Sequence, residues 1–172
     1  MKLSDIRELP GALVLSAVLL LSAPAIVAAE GTIPSPQESP SMQHAAGSFE
    51  VSMTPIEGAV EGGFAAMALE KTYRGDLVGT ASGRMMTAMT ETKGSAGYVA
   101  VERVTGELHG REGSFVLQHF GLMDRGAPSL TVRIVPDSGT GELAGIRGTL
   151  DIIIDADGHR YTLDYTLDAG SQ

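Results

Sequence analysis

Two side chains capable of acid–base chemistry, Glu102 and His119, lie in a stretch of mostly apolar and small residues from 94 to 121. The stretch is typical of two β-strands joined by a turn, because apolar and polar residues alternate on both sides of a glycine-flanked segment. Centring the turn on Arg111 and Glu112 makes Glu102 and His119 diagonal neighbours on one face. In an apolar interior, such a pair can transfer protons or orient the polar end of a ligand.

A structural role is the alternative interpretation of this pair. A carboxylate and an imidazole that are buried together can satisfy each other and the nearby backbone without taking part in any reaction. We therefore predict that Glu102 and His119 lie close together inside the protein. The sequence leaves open whether they are catalytic, ligand-binding or structural.

Other side chains are predicted to face the same interior. Tyr98 shares the inner face with Glu102, and Tyr161 and Tyr165 lie on the inner face of a second strand pair. Tyrosines of this kind can line a pocket, but they are more often core residues with the hydroxyl at a rim. Met85 belongs to a methionine cluster that either lines a cavity or fills the core. The predicted ligand-binding set is Tyr98, Glu102, His119, Tyr161, Tyr165 and Met85.

The clearest strand pair lies near the C-terminus, where apolar residues occupy every second position of two segments. Asp157 and Gly158 between them form a dipeptide that two-residue hairpin turns favour. Centring the turn there opposes Ile154 to Tyr161, so that apolar residues meet across the pair. Similar alternation recurs through residues 47–172 and predicts about eight strands.

An all-β chain of about eight antiparallel strands has to protect its sheet edges. Closure into a single antiparallel β-barrel removes those edges, whereas a sandwich of two sheets retains them. We predict the barrel, with the sandwich as the alternative. A barrel of this size is filled by side chains or holds one small ligand.

The N-terminal region is typical of an export signal. Residues 13–29 form an uncharged run rich in Leu, Val and Ala, which follows Lys2 and Arg7, and cleavage is predicted after Ala29. An uncleaved membrane anchor is the alternative. Residues 30–46 are rich in Pro, Ser and Gln and are predicted to be a disordered spacer. The expected organisation is a signal peptide at 1–29, the spacer at 30–46 and a periplasmic or secreted barrel domain at 47–172.

Composition limits the partners. The net charge of −9 argues against nucleic-acid binding, and we expect no membrane association once the signal peptide is removed. The absence of cysteine excludes disulfides and thiolate catalysis. The histidines do not show metal-ligand spacing, so neither a metal nor another cofactor is predicted. Apolar residues on the outer face, Val99, Val101 and Phe120, need cover and allow for a homo-oligomer.

Four segments resemble a known bacterial family. They are Gly-Asp-Leu-Val-Gly-Thr-Ala-Ser-Gly (75–83), Gly-Ser-Ala-Gly-Tyr-Val-Ala-Val-Glu-Arg-Val-Thr-Gly (94–106), Gly-Ser-Phe-Val-Leu-Gln-His (113–119) and Pro-Asp-Ser-Gly-Thr-Gly-Glu-Leu (136–143). In this order they resemble the family called domain of unknown function 3224. The resemblance implies a barrel of the allene-oxide-cyclase type, related in shape to the lipocalins. It implies no activity, because barrel shape alone does not carry chemistry.

Three functions remain open. The first is an exported barrel that binds a small apolar ligand in its interior. The second is an enzyme of the isomerase or cyclase type, in which Glu102 and His119 exchange a proton. The third is a structural or interaction module with a filled barrel.

Overall fold

The computed structural model describes residues 40–58, 62–156 and 158–167. The predicted signal peptide lies outside these residues. Within them the chain is all-β, as predicted, and no helix is long and apolar enough to cross a membrane. The strands are β1 (Gln43–Pro55), β2 (Phe64–Gly75), β3 (Leu77–Met89), β4 (Ala96–Leu108), β5 (Arg111–Asp124), β6 (Ala127–Ile134), β7 (Thr140–Gly141), β8 (Ile146–Asp155) and β9 (Gly158–Leu167).

Eight of these strands form a closed antiparallel barrel, which confirms the predicted architecture. Strands β1 to β6 pair in sequence order, β6 pairs with β8, β8 with β9, and β9 returns to β1. The two-residue strand β7 pairs with β5 outside the ring. Closure pairs every strand of the ring on both sides, which is the energetic advantage over an open sandwich.

The central hairpin has a different register from the predicted one. The chain turns at His109 and Gly110, and Leu108 pairs with Arg111, so the turn is not centred on Arg111 and Glu112. Both turn residues have positive φ, 49° and 79°, as the two central positions of a type I′ turn require. The pairing differs by an even number of residues, so every side chain keeps its predicted face.

The C-terminal hairpin is also shifted from its predicted register. Asp155 pairs with Gly158, and Ile154 pairs with His159 instead of Tyr161. His159 therefore lies within β9, opposite Ile154. The shift is again even, so the inward direction of Ile154 and Tyr161 was predicted correctly although their pairing was wrong.

The barrel begins earlier in the chain than predicted. Strand β1 starts at Gln43, so residues 43–46 of the predicted spacer belong to the sheet and pair with β9. Ala45 is only 3% exposed and is part of the core. Its small side chain fits a crowded interior position that composition alone did not reveal. Residues 30–39 lie outside the described part of the chain.

Burial changes along the barrel axis. On β8 the inward side chain of Ile146 is fully buried, whereas that of Ile154 is 70% exposed; on β1 the same change runs from Ala45 to Met53. The turn after β7 places Leu143 in the core beside Ile146. We call the half around Ile146 and Leu143 the closed end, and the half around Met53 and Ile154 the open end.

Candidate functional site

Three strands bring four polar side chains together inside the barrel. Glu102 on β4 accepts three hydrogen bonds at Oε1: from Lys71 Nζ on β2 at 2.7 Å, from His119 Nε2 on β5 at 3.0 Å and from the Tyr73 hydroxyl on β2 at 3.3 Å. The side chains of Lys71, Glu102 and His119 are between 0% and 6% exposed. We call Lys71, Tyr73, Glu102 and His119 the floor cluster.

The predicted proximity of Glu102 and His119 is confirmed. His119 pairs with Ala100, and Glu102 pairs with Leu117, so the two polar residues are diagonal neighbours on adjacent strands. They are diagonal in the predicted register as well, which is why the error in the turn did not separate them. Their inward direction follows from the strand alternation.

Lys71 belongs to the cluster but was missed from the sequence. Alternation along β2 assigns Met67, Leu69 and Tyr73 to one face, and Lys71 falls in the same series. The spacing of two residues from both Leu69 and Tyr73 was the signal that could have placed Lys71 inside the barrel. A lysine at such a position is easily assumed to face the solvent instead. The ammonium also lies 4.9 Å from the centre of the Phe49 ring and 5.9 Å from that of Tyr73, within cation–π range.

Small residues on β3 allow Lys71 to reach Glu102. Strand β3 lies between β2 and β4, with Ala81 opposite Lys71 and Gly83 opposite Glu102. A methyl group added at Gly83 would lie 2.7 Å from both Cα and Cβ of Glu102, which is too close. The lysine side chain therefore crosses a strand that has almost no side-chain volume at this level.

Glu102 is ionised in this environment. Burial alone would raise the pKa of Glu102, but the hydrogen bond from His119 and the ion pair with Lys71 outweigh burial and hold the pKa below its usual range. An ionised carboxylate only accepts hydrogen bonds, so Nε2 of His119 carries the hydrogen that it shares with Glu102. The carboxylate thus determines the orientation and the tautomer of the imidazole.

Glu102 uses its two oxygens unequally. Oε1 accepts all three hydrogen bonds, whereas Oε2 is buried without a hydrogen-bond partner among the described residues. An unpaired buried polar atom costs about 1–3 kcal/mol. The floor cluster therefore retains one unused acceptor.

A cavity of about 310 Å³ lies above the floor cluster at the open end of the barrel. Its polar lining residues are Lys71, Tyr98, His119 and His159. The rest of the lining is apolar: Phe49, Val51, Met53, Leu69, Met85, Ala100, Leu130, Ile152 and Ile154. The volume and the predominantly apolar lining are typical of sites for small organic molecules.

Three members of the predicted ligand-binding set line this cavity: Tyr98, Met85 and His119. The ring of Tyr98 covers the backbone of its cross-strand partner Gly121. Burial and the negative charge of Glu102 raise the pKa of Tyr98, so the phenol stays protonated. Its hydroxyl makes no hydrogen bond within the described ranges, so it remains available as a donor. Glu102 does not line the cavity; it lies behind His119 and Lys71.

Tyr161 and Tyr165 do not line the cavity, contrary to the set predicted for ligand binding. Both are almost fully buried. The Tyr161 hydroxyl accepts a hydrogen bond from the Leu77 amide at 2.9 Å, and the Tyr165 hydroxyl contacts His109 and Gln43. Both hydroxyls therefore have hydrogen-bond partners within the closed half of the barrel, as expected if these tyrosines are core residues rather than pocket residues.

Two further sets of residues lie away from the cavity: His109 and the apolar residues of the outer face. His109 lies at the central turn, where its Nδ1 is 2.8 Å from the Tyr165 hydroxyl. Val99, Val101 and Phe120 are 47%, 51% and 52% exposed on the outer face, so their role in subunit contact stays a prediction.

Comparison with known proteins agrees with this architecture. Residues 45–165 match the model of a family described as protein of unknown function, DUF3224. The chain belongs to the DUF3224 family. A solved DUF3224 structure from Shewanella oneidensis MR-1, also of unknown function, is 45% identical, with a TM-score of 0.72 over 76% of this chain and all of that one. No curated protein matches the chain. DUF3224 membership confirms the predicted resemblance and assigns no activity.

Proposed function

We propose that this protein binds a small, largely apolar molecule in the open half of its barrel. The observation that supports this proposal is the cavity of about 310 Å³, whose wall is apolar and whose floor carries His119 and Lys71. Met53 and Ile154 are 53% and 70% exposed at its mouth, and bound ligand would cover them.

The polar groups at the cavity favour one polar end on the ligand. Tyr98 offers a hydroxyl donor. Nδ1 of His119 has no hydrogen-bond partner in the described part of the chain and, in the neutral ring, accepts a hydrogen bond. A few directed polar contacts within an apolar wall determine the orientation of a ligand rather than most of its affinity.

Adjacent methionines provide a matched test of binding. Met85 lines the cavity, whereas Met86 faces outward and is 49% exposed. We expect Met85→Trp to occupy the cavity and to weaken binding of the uncharged fluorophore N-phenylnaphthylamine at least about tenfold, about 1.4 kcal/mol. Met86→Trp should leave the affinity nearly unchanged. The same loss in both variants, or a loss only in Met86→Trp, would place the bound probe on the outer face and contradict the proposal.

Proton transfer at the same cavity is the second candidate function, and the Glu102–His119 hydrogen bond favours it. In this candidate the two residues have different roles, because Glu102 lies behind His119 and does not line the cavity. His119 is then the only member of the pair to meet a substrate, and Glu102 is a positioning residue.

An isomerase or cyclase of this kind should exchange protons next to a carbonyl group. We expect the protein to accelerate deuterium exchange at the methyl group of acetophenone, measured by NMR. His119→Gln should abolish this acceleration. His159→Gln is the matched control, because His159 also lines the cavity but has no carboxylate partner among the described residues. Equal rates with and without protein would rule out this candidate and leave the binding proposal intact.

We also propose that the barrel is exported after cleavage of residues 1–29. The support is the uncharged run that ends in small residues before Glu30. N-terminal sequencing of protein from its native host should begin at Glu30 or a close neighbour. A chain that starts at Met1 in the cytosol would contradict export.

A further inference from the structure

Lys71 places a primary amine at the cavity. Its side chain is 6% exposed and lines the cavity floor, and its nitrogen lies 2.7 Å from Glu102 Oε1 and 4.9 Å from the centre of the Phe49 ring. Simple binding of an apolar molecule does not require this amine. Proton transfer through His119 does not require it either.

Stability does not account well for the Lys71–Glu102 pair. Removing two charges from water carries a large desolvation cost, and apolar replacements of a buried pair are often equally stable. The pair also leaves Glu102 Oε2 buried without a partner among the described residues. These features distinguish the floor cluster from the closed end, where the largest fully buried side chains are aromatic and aliphatic.

We propose that Lys71 is the covalent attachment site for an apolar aldehyde, which it holds as an imine. This inference rests on the proposed function, because the aldehyde must first enter the cavity. Lys71 supplies the nucleophilic nitrogen, and Glu102 is the counterion of the product. The apolar wall accommodates the hydrocarbon part of the aldehyde.

The reaction balances without any redox partner. The Lys71 ammonium passes a proton to Glu102, and the neutral amine attacks the carbonyl carbon, forming the C–N bond as the C=O π bond breaks. The attacking nitrogen loses one proton and the carbonyl oxygen gains it, which gives the neutral carbinolamine. Glu102 then passes its proton to the hydroxyl group, the C–O bond breaks, and water leaves with two of the three ammonium protons, while the third remains on the iminium nitrogen.

Charge conservation favours an aldehyde over other polar ligands. The iminium carries the same single positive charge as the ammonium that it replaces, so the Glu102 carboxylate faces one cation both before and after the reaction. A ligand carboxylate would instead add a negative charge beside Glu102, whose own charge already neutralises Lys71. An alcohol would leave the amine unused.

The test uses decanal and sodium cyanoborohydride, which reduces an iminium to a stable amine. The chain has three lysines, Lys2, Lys71 and Lys93, and Lys93 is exposed. With limiting decanal, peptide mass spectrometry should find the reduced adduct on Lys71 at least about tenfold more often than on Lys93, because the bound carbonyl is held next to the amine. An adduct that favours Lys93, or equal labelling of both, would overturn the proposal.

Two variants and one matched ligand separate this inference from the proposed function. Lys71→Arg keeps the positive charge next to Glu102 and should lose the adduct, whereas Lys93→Arg should retain it.

Decanol cannot form an imine, yet it should displace N-phenylnaphthylamine as decanal does. Displacement by both compounds without labelling of Lys71 would reject the imine and keep the binding site. Failure of both compounds to displace the probe would reject the binding site itself. If Lys71→Arg does not fold, the labelling ratio in the unaltered protein still decides.

Discussion

The two ends of this barrel are built from the same strands but have opposite interiors. At the closed end, Leu77, Leu108 and Phe115 are fully buried, and the hydroxyl of Tyr161 is used within the protein. At the open end, the same strand faces line a cavity of about 310 Å³ and leave the Tyr98 hydroxyl free of partners among the described residues. The difference shows that one barrel places its packed core and its cavity in separate halves along its axis.

The floor cluster lies at the boundary between these two regions. It is as buried as the closed end, yet Lys71 and His119 also line the cavity. Side chains in this position combine a fixed geometry with access to the cavity. That combination is the usual requirement for a binding or catalytic group.

The largest expected difference between the two ends concerns core packing on β8. Ile146→Ala should lower the free energy of unfolding by about 2–5 kcal/mol, because it leaves a void in a fully packed region. Ile154→Ala, on the same face of the same strand, should change it by less than about 0.5 kcal/mol. Urea unfolding followed by circular dichroism measures both values. Similar losses in the two variants would show that the open end is packed as tightly as the closed end.

A smaller difference is expected between two tyrosines. Tyr161→Phe removes the acceptor of the buried Leu77 amide and should cost about 1–3 kcal/mol of stability. Tyr98→Phe removes a hydroxyl without a partner among the described residues and should cost less than about 0.5 kcal/mol. Thermal unfolding compares the two variants. If Tyr98→Phe is the more damaging change, the Tyr98 hydroxyl has a structural partner.

The pH dependence of stability provides a finer test of the boundary. The pKa of Glu102 is lower in the folded chain than its ordinary value of 4.5, so its ionisation stabilises the fold above that value. This contribution is lost as the pH falls below 4.5 and through the folded pKa. Glu102→Gln should therefore lose stability less steeply with falling pH than the unaltered protein does.

Urea midpoints measured between neutral and acidic pH give the two slopes. Glu50→Gln is the matched control, because the Glu50 side chain is 73% exposed, and this variant should keep the steep dependence. Equal slopes for Glu102→Gln and the unaltered protein would mean that folding does not lower the pKa of Glu102.

The two hairpins show how far alternation predicts this structure. The faces of Glu102, His119 and Ile154 were correct, because alternation has a period of two and survives any even shift. The registers were wrong, because several turn positions satisfy the same alternation. At the central turn, His109 adopts positive φ. Type I′ turns favour Gly, Asn or Asp at this position, so no clear signal in the sequence marked a turn there.

The candidate site was predicted only in part for a related reason. Glu102 and His119 lie on one hairpin, so local pairing was enough to bring them together. Lys71 is on β2 and reaches Glu102 across β3, which depends on Gly83 being small. Tyr161 has the same inward direction as Tyr98, but the position of each along the barrel axis decides which one meets the cavity.

The sequence by itself determined the all-β class, the inward faces of the strands and the apolar character of the interior, because these follow from alternation along each strand. Only the tertiary structure decided which inward residues share a level of the barrel, and therefore that Lys71 completes the Glu102 site while Tyr161 and Tyr165 do not. The physical reason is that level depends on register and closure. Both arise from contacts between strands distant in the chain, which no local pattern records.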